Sequence, residues 1–169
     1  MRDVILRRIQ IEDASAFLAL RIGLDEETSF MLLEKGERTT TLEQQTQALE
    51  RIVASEQDCL LVLAVGKELV GYLAASGGNF RRNRHCAYVT MGILQAYCGQ
   101  GWGQKMFSKL IEWARATNIT RLELTVMAHN ERAINLYERV GFIKEGLKRN
   151  ALRVDNKYVD EIYMGMLVE

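Results

Sequence analysis

The chain reads as one α/β (α+β) domain over residues 1–169, a mixed, mostly antiparallel sheet with helices on both faces. Three observations predict it. Strand-like apolar runs come early and close together, joined by a two-residue Gly66-Lys67 turn of hairpin type. Strand and helix patterns then alternate from residue 86 to residue 140, as β-α-β-α-β chains do. The 169 residues are 48% hydrophobic, enough for one sizeable core, and no proline, low-complexity linker or internal repeat marks a boundary.

In chain order, residues 4–9 read as a first strand. A helix starts near Glu12 and sets Phe17, Leu18 and Ile22 on one face. Residues 25–41 are polar around an apolar island, Phe30-Met31-Leu32-Leu33, and show no clear period. Helical spacing returns over 42–54 in Leu42, Leu49, Ile52 and Val53. Residues 60–65 and 69–75 are the hairpin strands. Residues 86–94 form another strand, whose Gly92 predicts a bulge or a close backbone approach. A helix over 101–117 carries Trp102, Met106, Leu110 and Trp113 in one stripe. A strand at 121–126 and a helix at 131–140 follow, with Gly141 ending that helix. Strands at 142–147 and 158–168 close the pattern around a loop at 150–156.

Lys plus Arg and Asp plus Glu both number 22, so the net charge is zero and no electrostatic footprint suggests nucleic acid or an anionic membrane. The basic run Arg81-Arg82-Asn83-Arg84-His85 is local and reads as a solvated hairpin tip, with contact to a phosphate or acidic partner as the other option. Cys59, Cys86 and Cys98 have neither metal-type spacing nor an even count; no metal and a reducing, cytoplasmic setting are expected. No run is long enough for a membrane span, and no signal-peptide pattern opens the chain.

The most informative segment is Ile93-Leu94-Gln95-Ala96-Tyr97-Cys98-Gly99-Gln100-Gly101-Trp102-Gly103-Gln104. It joins a strand to a helix through three glycines at alternate positions. Unpaired N–H groups at a helix start make a cradle for phosphate, and glycine lets a ligand approach the main chain. A P-loop would need Gly-Lys-Ser/Thr, but Gly103 is followed by Gln104, Lys105 and Met106. A dinucleotide fingerprint would need glycine where Gln104 stands, and its ribose-binding acid would be Glu123, which falls in mid-strand.

The run Cys98-Gly99-Gln100-Gly101-Trp102-Gly103 resembles the acetyl-CoA loop of the GNAT N-acetyltransferases, usually Gln/Arg-x-x-Gly-x-Gly/Ala. Asn130-Glu131-Arg132-Ala133-Ile134-Asn135-Leu136-Tyr137, then Gly141-Phe142, resembles the family's Asn-x-x-Ala-x-x-Leu-Tyr…Gly-Phe segment. The resemblance covers most of the chain and is clearest from residue 88 to residue 142. Cys98 departs from the usual Gln or Arg.

The resemblance implies a GNAT-like fold whose two central strands splay apart, with acetyl-CoA as acetyl donor. Ile93, Leu94, Gln95, Gly99, Gln100, Gly101, Trp102, Gly103, Gln104, Asn130 and Ala133 would hold it. Tyr137 would assist the departing thiolate, and main-chain N–H groups of Ile93 and Leu94 would face the acetyl oxygen. Read without the family, Asn130 is an N-cap and Tyr137 a core tyrosine in a stripe with Ala133 and Val140. Glu27, Phe30 and Tyr88 are the acceptor-side candidates. The strand before the loop carries no carboxylate, so the base is open among Glu27, His85, Asp160, Glu161 and a relayed water.

The function so implied is acetyl transfer to a primary amine, a small molecule or a protein N-terminus, by direct attack in a ternary complex. A homodimer is a further expectation about partners. Asp25, Glu26, Glu27, Glu34, Asp160 and Glu161 suggest an acceptor carried as an ammonium ion. The competing class is a non-catalytic acyl-CoA sensor, which would have no need of Tyr137.

Overall fold

Strands β1 (Val4–Arg8), β2 (Asp58–Val65), β3 (Glu68–Gly77), β4 (Cys86–Ile93), β5 (Arg121–Met127), β6 (Ile143–Val154) and β7 (Lys157–Leu167) form one sheet, in the order β1-β2-β3-β4-β5-β7-β6. The computed structural model describes residues 3–169; residues 1 and 2 of the expected domain lie outside that range. Helices α1 (Ala14–Glu27) and α2 (Leu42–Ala54) cover one face at the β1–β3 side, and α3 (Trp102–Ala116) and α4 (Glu131–Val140) cover the other. Every neighbouring pair is antiparallel except β4 with β5. The mixed, mostly antiparallel sheet expected from the sequence is what the chain forms.

Two apolar clusters follow from the period of two along the strands. Leu60, Val62, Ala64 and Leu69 pack with Phe17, Leu20, Leu24 and Leu49 under α1 and α2. Leu61, Leu63, Leu73, Val89, Leu122, Leu124 and Met164 pack with Met106, Phe107, Leu110 and Trp113 of α3 and Tyr137 of α4. The 102-106-110-113 stripe is the buried face of α3, as its spacing predicts. The face of β5, β7 and β6 opposite α3 and α4 carries no helix among the described residues.

Three local expectations change. The first helix runs to Glu27 because Asp25, read as part of a polar loop, is buried in an ion pair with Arg38 at 2.6 Å. The loop at 150–156 is mostly strand: β6 reaches Val154, and only Asp155 and Asn156 turn, at φ 48° and 63°. Two left-handed residues make the primed turn that matches strand twist, and Asp and Asn tolerate it. Finally, β4 has no bulge at Gly92, since its register with β3 is unbroken. Gly92 is bare because a Cβ there would lie 2.7 Å from Leu24 Cδ1 and 2.9 Å from Met31 Cε. The alternative reading, a close approach, is the correct one.

Candidate active site

The two central strands part company early. β4 and β5 pair only at Cys86–Arg121, Ala87–Leu122 and Tyr88–Glu123, and the remaining five residues of β4 have no partner on that side. Which groups turn into the gap is fixed by one bond. Leu94 N–H donates to the Val70 carbonyl at 2.9 Å, so in an antiparallel ladder the even residues of β4 bond β3 and the odd ones face β5. Met91 and Ile93 therefore turn main-chain groups into the gap. On β5, Ala128 N–H donates to Asp160 O at 2.9 Å, which by the same alternation turns Thr125 and Met127 inward. The Ile93 carbonyl accepts the Cys98 thiol at 3.4 Å, and the Met127 carbonyl accepts Asn130 N–H at 2.9 Å.

This corrects two expected contacts. The Leu94 N–H is committed to β3 and cannot face an acetyl oxygen; Ile93 N–H is the one that points into the gap. Gln95 N–H is also taken, by Glu27 Oε2 at 2.8 Å.

Above the open end of β4, a 3₁₀ turn at Gln95–Tyr97 leads to the glycine loop. Gly99 and Gly101 have φ of 75° and 81°, a left-handed backbone that glycine adopts without strain. Gly101 is the N-cap of α3, no side chain caps the helix, and a Cβ at Gly101 would meet nothing within 4 Å. The first N–H groups of α3 thus open onto free space at the positive end of the helix. Gly103 differs: its Cβ would lie 2.6 Å from Leu136 Cδ2, so its smallness serves the contact of α3 with α4. The Trp102 indole N–H is buried without a partner, and Lys105 Nζ lies 4.3 Å from the Trp102 ring centroid.

On the α4 side, Asn130 Oδ1 accepts the Ala133 N–H at 3.3 Å, so it caps α4 while its amide N–H₂ stays available. Tyr137 is buried, with its ring edge-on to Phe107 at 5.8 Å and tilted against Phe142 at 5.9 Å. Burial raises its phenol well above the ordinary value, and the phenols of Tyr72 and Tyr88 add to the shift. Those two tyrosines belong to the opposite face of the sheet. Just past the last paired rung, Tyr88 and Thr125 hydroxyls bond at 2.7 Å and close the floor of the gap.

The acceptor-side acids are largely engaged. Asp25 is buried against Arg38, and Glu27 holds Gln95 N–H. Asp160 Oδ1 accepts Asn150 N–H at 2.7 Å, holding a bulge of β6 in which three residues oppose one. Glu161 stands 3.9 Å from Lys148 with its side chain 15% exposed. His85 precedes β4 at its closed end, eight residues or about 26 Å of extended chain from Ile93. It does not belong to the gap. The sequence reading missed His129, which follows β5 at the open end, its ring 5.0 Å from that of Phe30. Phe30 and Met31 thus reach across the open end, from Gly92 of β4 to His129, the second residue past β5. The reading also missed Arg132, whose Nη2 is 3.2 Å from the point where a Gly99 Cβ would stand. Nothing local in the sequence marks either residue, because each reaches the site through contacts far along the chain.

A family model for the acetyltransferase (GNAT) family matches residues 23–142. The chain is 33% identical over 107 residues to N-alpha-acetyltransferase RimI of Mycobacterium tuberculosis, covering 63% of this chain and 66% of that one. It is 32% identical over 109 residues to L-amino acid N-acetyltransferase AaaT of Escherichia coli, covering 62% and 65%. The matches span about two thirds of the length of these two relatives, and about half of YycN of Bacillus subtilis, an uncharacterized N-acetyltransferase 32% identical over 76 residues. An acetyltransferase of GNAT family from Streptococcus pneumoniae has the same fold, with a TM-score of 0.94 at 27% identity over 99% of this chain and 100% of that one. The fold is also shared by yncA from Salmonella typhimurium, solved with its cofactor acetyl-CoA, at TM-score 0.86 and 18% identity over 98% and 94%. With the family model over most of its length, and split strands above an uncapped helix start, the chain belongs to the acetyltransferase (GNAT) family.

Proposed function

We propose that the protein transfers the acetyl group of acetyl-CoA to a primary amine inside the β4/β5 gap. The observation that carries this reading is the parting of β4 from β5 after Tyr88 and Glu123, beside the open N-terminus of α3. The residues fit the donor: Gly101 leaves free space at α3, and Met91, Ile93, Thr125 and Met127 offer main-chain groups along the slot. In this reading N–H groups from Gly99 to Gln104 hold the pyrophosphate. The Asn130 amide and the strand groups hold the arm that reaches into the gap. When bound, the thioester supplies an activated acetyl carbon.

The chain's own residues then act in three ways. Ile93 N–H points where negative charge develops on the acetyl oxygen. Tyr137 lies on the α4 side of the gap and donates a hydrogen bond to sulfur as the new N–C bond forms and the C–S bond breaks. Its raised phenol is a weaker acid than a thiol near 8.5, so Tyr137 stabilises the thiolate and stays protonated rather than giving up its proton. The proton released by the amine passes to a base on the opposite face. There Phe30, Met31, Glu27 and Glu161 border the open end, and Tyr88 and Thr125 line the floor. The attack is direct: Cys98 belongs to the glycine loop, where its thiol is bonded to Ile93 and raised by burial.

The acceptor's class follows the relatives' names: RimI is an N-alpha-acetyltransferase, AaaT acts on L-amino acids, and one structural neighbour was solved with CoA and spermine. The test is mass spectrometry of an alanine-initiated peptide, L-methionine and spermidine, each incubated with acetyl-CoA and the full chain. Acetylated product from at least one supports acetyl transfer. CoA binding without product from any of them would favour the sensor.

A further inference from the structure

The glycine loop of this chain lacks a cation of its own. At position 98, where the family's loop usually carries Gln or Arg, the side chain is a thiol turned inward onto the Ile93 carbonyl at 3.4 Å. The guanidinium that stands at the loop comes from the second residue of α4. Arg132 Nη2 is 3.2 Å from the point a Gly99 Cβ would occupy, so a larger residue at 99 would crowd it. Arg132 is exposed and has no carboxylate within 4.0 Å among the described residues. Gly99 is glycine for its φ of 75°; the guanidinium beside it ends an exposed, flexible side chain that can yield to a Cβ. The neighbouring charges are mixed: Lys105 one turn into α3, Glu131 beside Arg132 on α4, and Glu27 on the far side of Cys98.

We propose that Arg132 supplies, from α4, the cationic contact to the CoA pyrophosphate that position 98 does not provide. The proposal rests on the acetyl-CoA reading above. A planar guanidinium can bond two phosphate oxygens at once while the N–H groups of the α3 start bond the others. The loop thus contributes shape and the neighbouring helix contributes charge.

Calorimetry on the full chain tests it, with CoA and with dephospho-CoA, which lacks the 3′-phosphate. Arg132→Gln should raise Kd at least tenfold, by the same factor for both ligands, with melting temperature unchanged. Cys98→Arg added to Arg132→Gln should recover most of the lost affinity. An unchanged Kd overturns the proposal. So does a penalty that disappears with dephospho-CoA, since Arg132 would then serve the 3′-phosphate. A folded double variant that binds no better than Arg132→Gln contradicts the replacement of position 98 by Arg132. Failure of the wild-type chain to bind CoA would bring down the acetyl-CoA reading itself, a distinct result.

Discussion

Leu94 N–H and the Val70 carbonyl, 2.9 Å apart, decide which half of the β4 backbone faces the gap. Shift that pairing by one residue and Leu94, not Ile93, would turn inward. The bond also ties the open end of β4 to β3, so the gap is held from one side. A slot whose walls are main-chain groups keeps its geometry whatever side chains line it, which explains how Ile93 and Met91 serve while their side chains pack toward α3.

Tyr137→Phe should lower kcat by roughly 10²–10⁴ and leave CoA affinity nearly unchanged. Burial raises the phenol, so it stays neutral at every pH below its ordinary value near 10. It therefore contributes no acid limb to the pH profile. The variant's kcat/KM should rise toward alkaline pH along the same limb as wild type, at a lower level. Steady-state rates across pH check this; a displaced acid limb would make Tyr137 the titrating base.

Gly103→Ala and Gly101→Ala should separate stability from binding. The Cβ at 103 meets Leu136 at 2.6 Å, so overpacking costs about 1–3 kcal/mol while CoA affinity in the folded fraction holds. Gly101→Ala meets no atom but strains a φ of 81° at the helix start, and should weaken CoA binding more than Gly103→Ala does. Thermal melts and calorimetry on the two variants give both quantities.

Arg38→Ala should be among the most destabilising changes in the chain. It strands the buried Asp25 carboxylate, at a cost of about 3–5 kcal/mol. Replacing both by Leu and Met should cost far less. Denaturant unfolding of the two variants measures the difference, and equal losses would show that Arg38 acts through packing alone.

Asp13 is held below the usual carboxylate range mainly by its two hydrogen bonds from Arg7, with help from Gln10 N–H. A carboxyl lower in the folded state stabilises the fold above its unfolded value near 3.9, and that contribution is lost as pH falls through the folded value. Asp13→Asn should be less stable than wild type at pH 7, and the two should converge toward pH 2. Melting temperature against pH checks the sign.

The sequence made legible what depends on local periodicity. The stripe 102-106-110-113, the hairpin turn at Gly66-Lys67 and the cap at Asn130 stand where spacing and residue type place them. The segment 25–41 was opaque because Arg38 and Phe30 find their partners, Asp25 and His129, only in three dimensions. Arg132 was unreadable for the same reason: nothing local says that α4 sets its second residue against Gly99. The choice between Ile93 and Leu94 was lost to parity, since a one-residue step in a strand reverses every group. The acidic residues were visible, but their engagement by Arg38, Gln95 and Asn150 was not.

In the proposed complex, acetyl-CoA lies in the β4/β5 gap against main-chain groups of alternate residues. Residue-resolved amide hydrogen exchange, with and without acetyl-CoA, tests it most directly. New protection is expected at Met91, Ile93, Thr125 and the amides from Gly99 to Gln104. Leu94 and Gln95, already bonded to Val70 and Glu27, should change little. Protection at Leu94 with none at Ile93, or protection confined to β6 and β7, would contradict it.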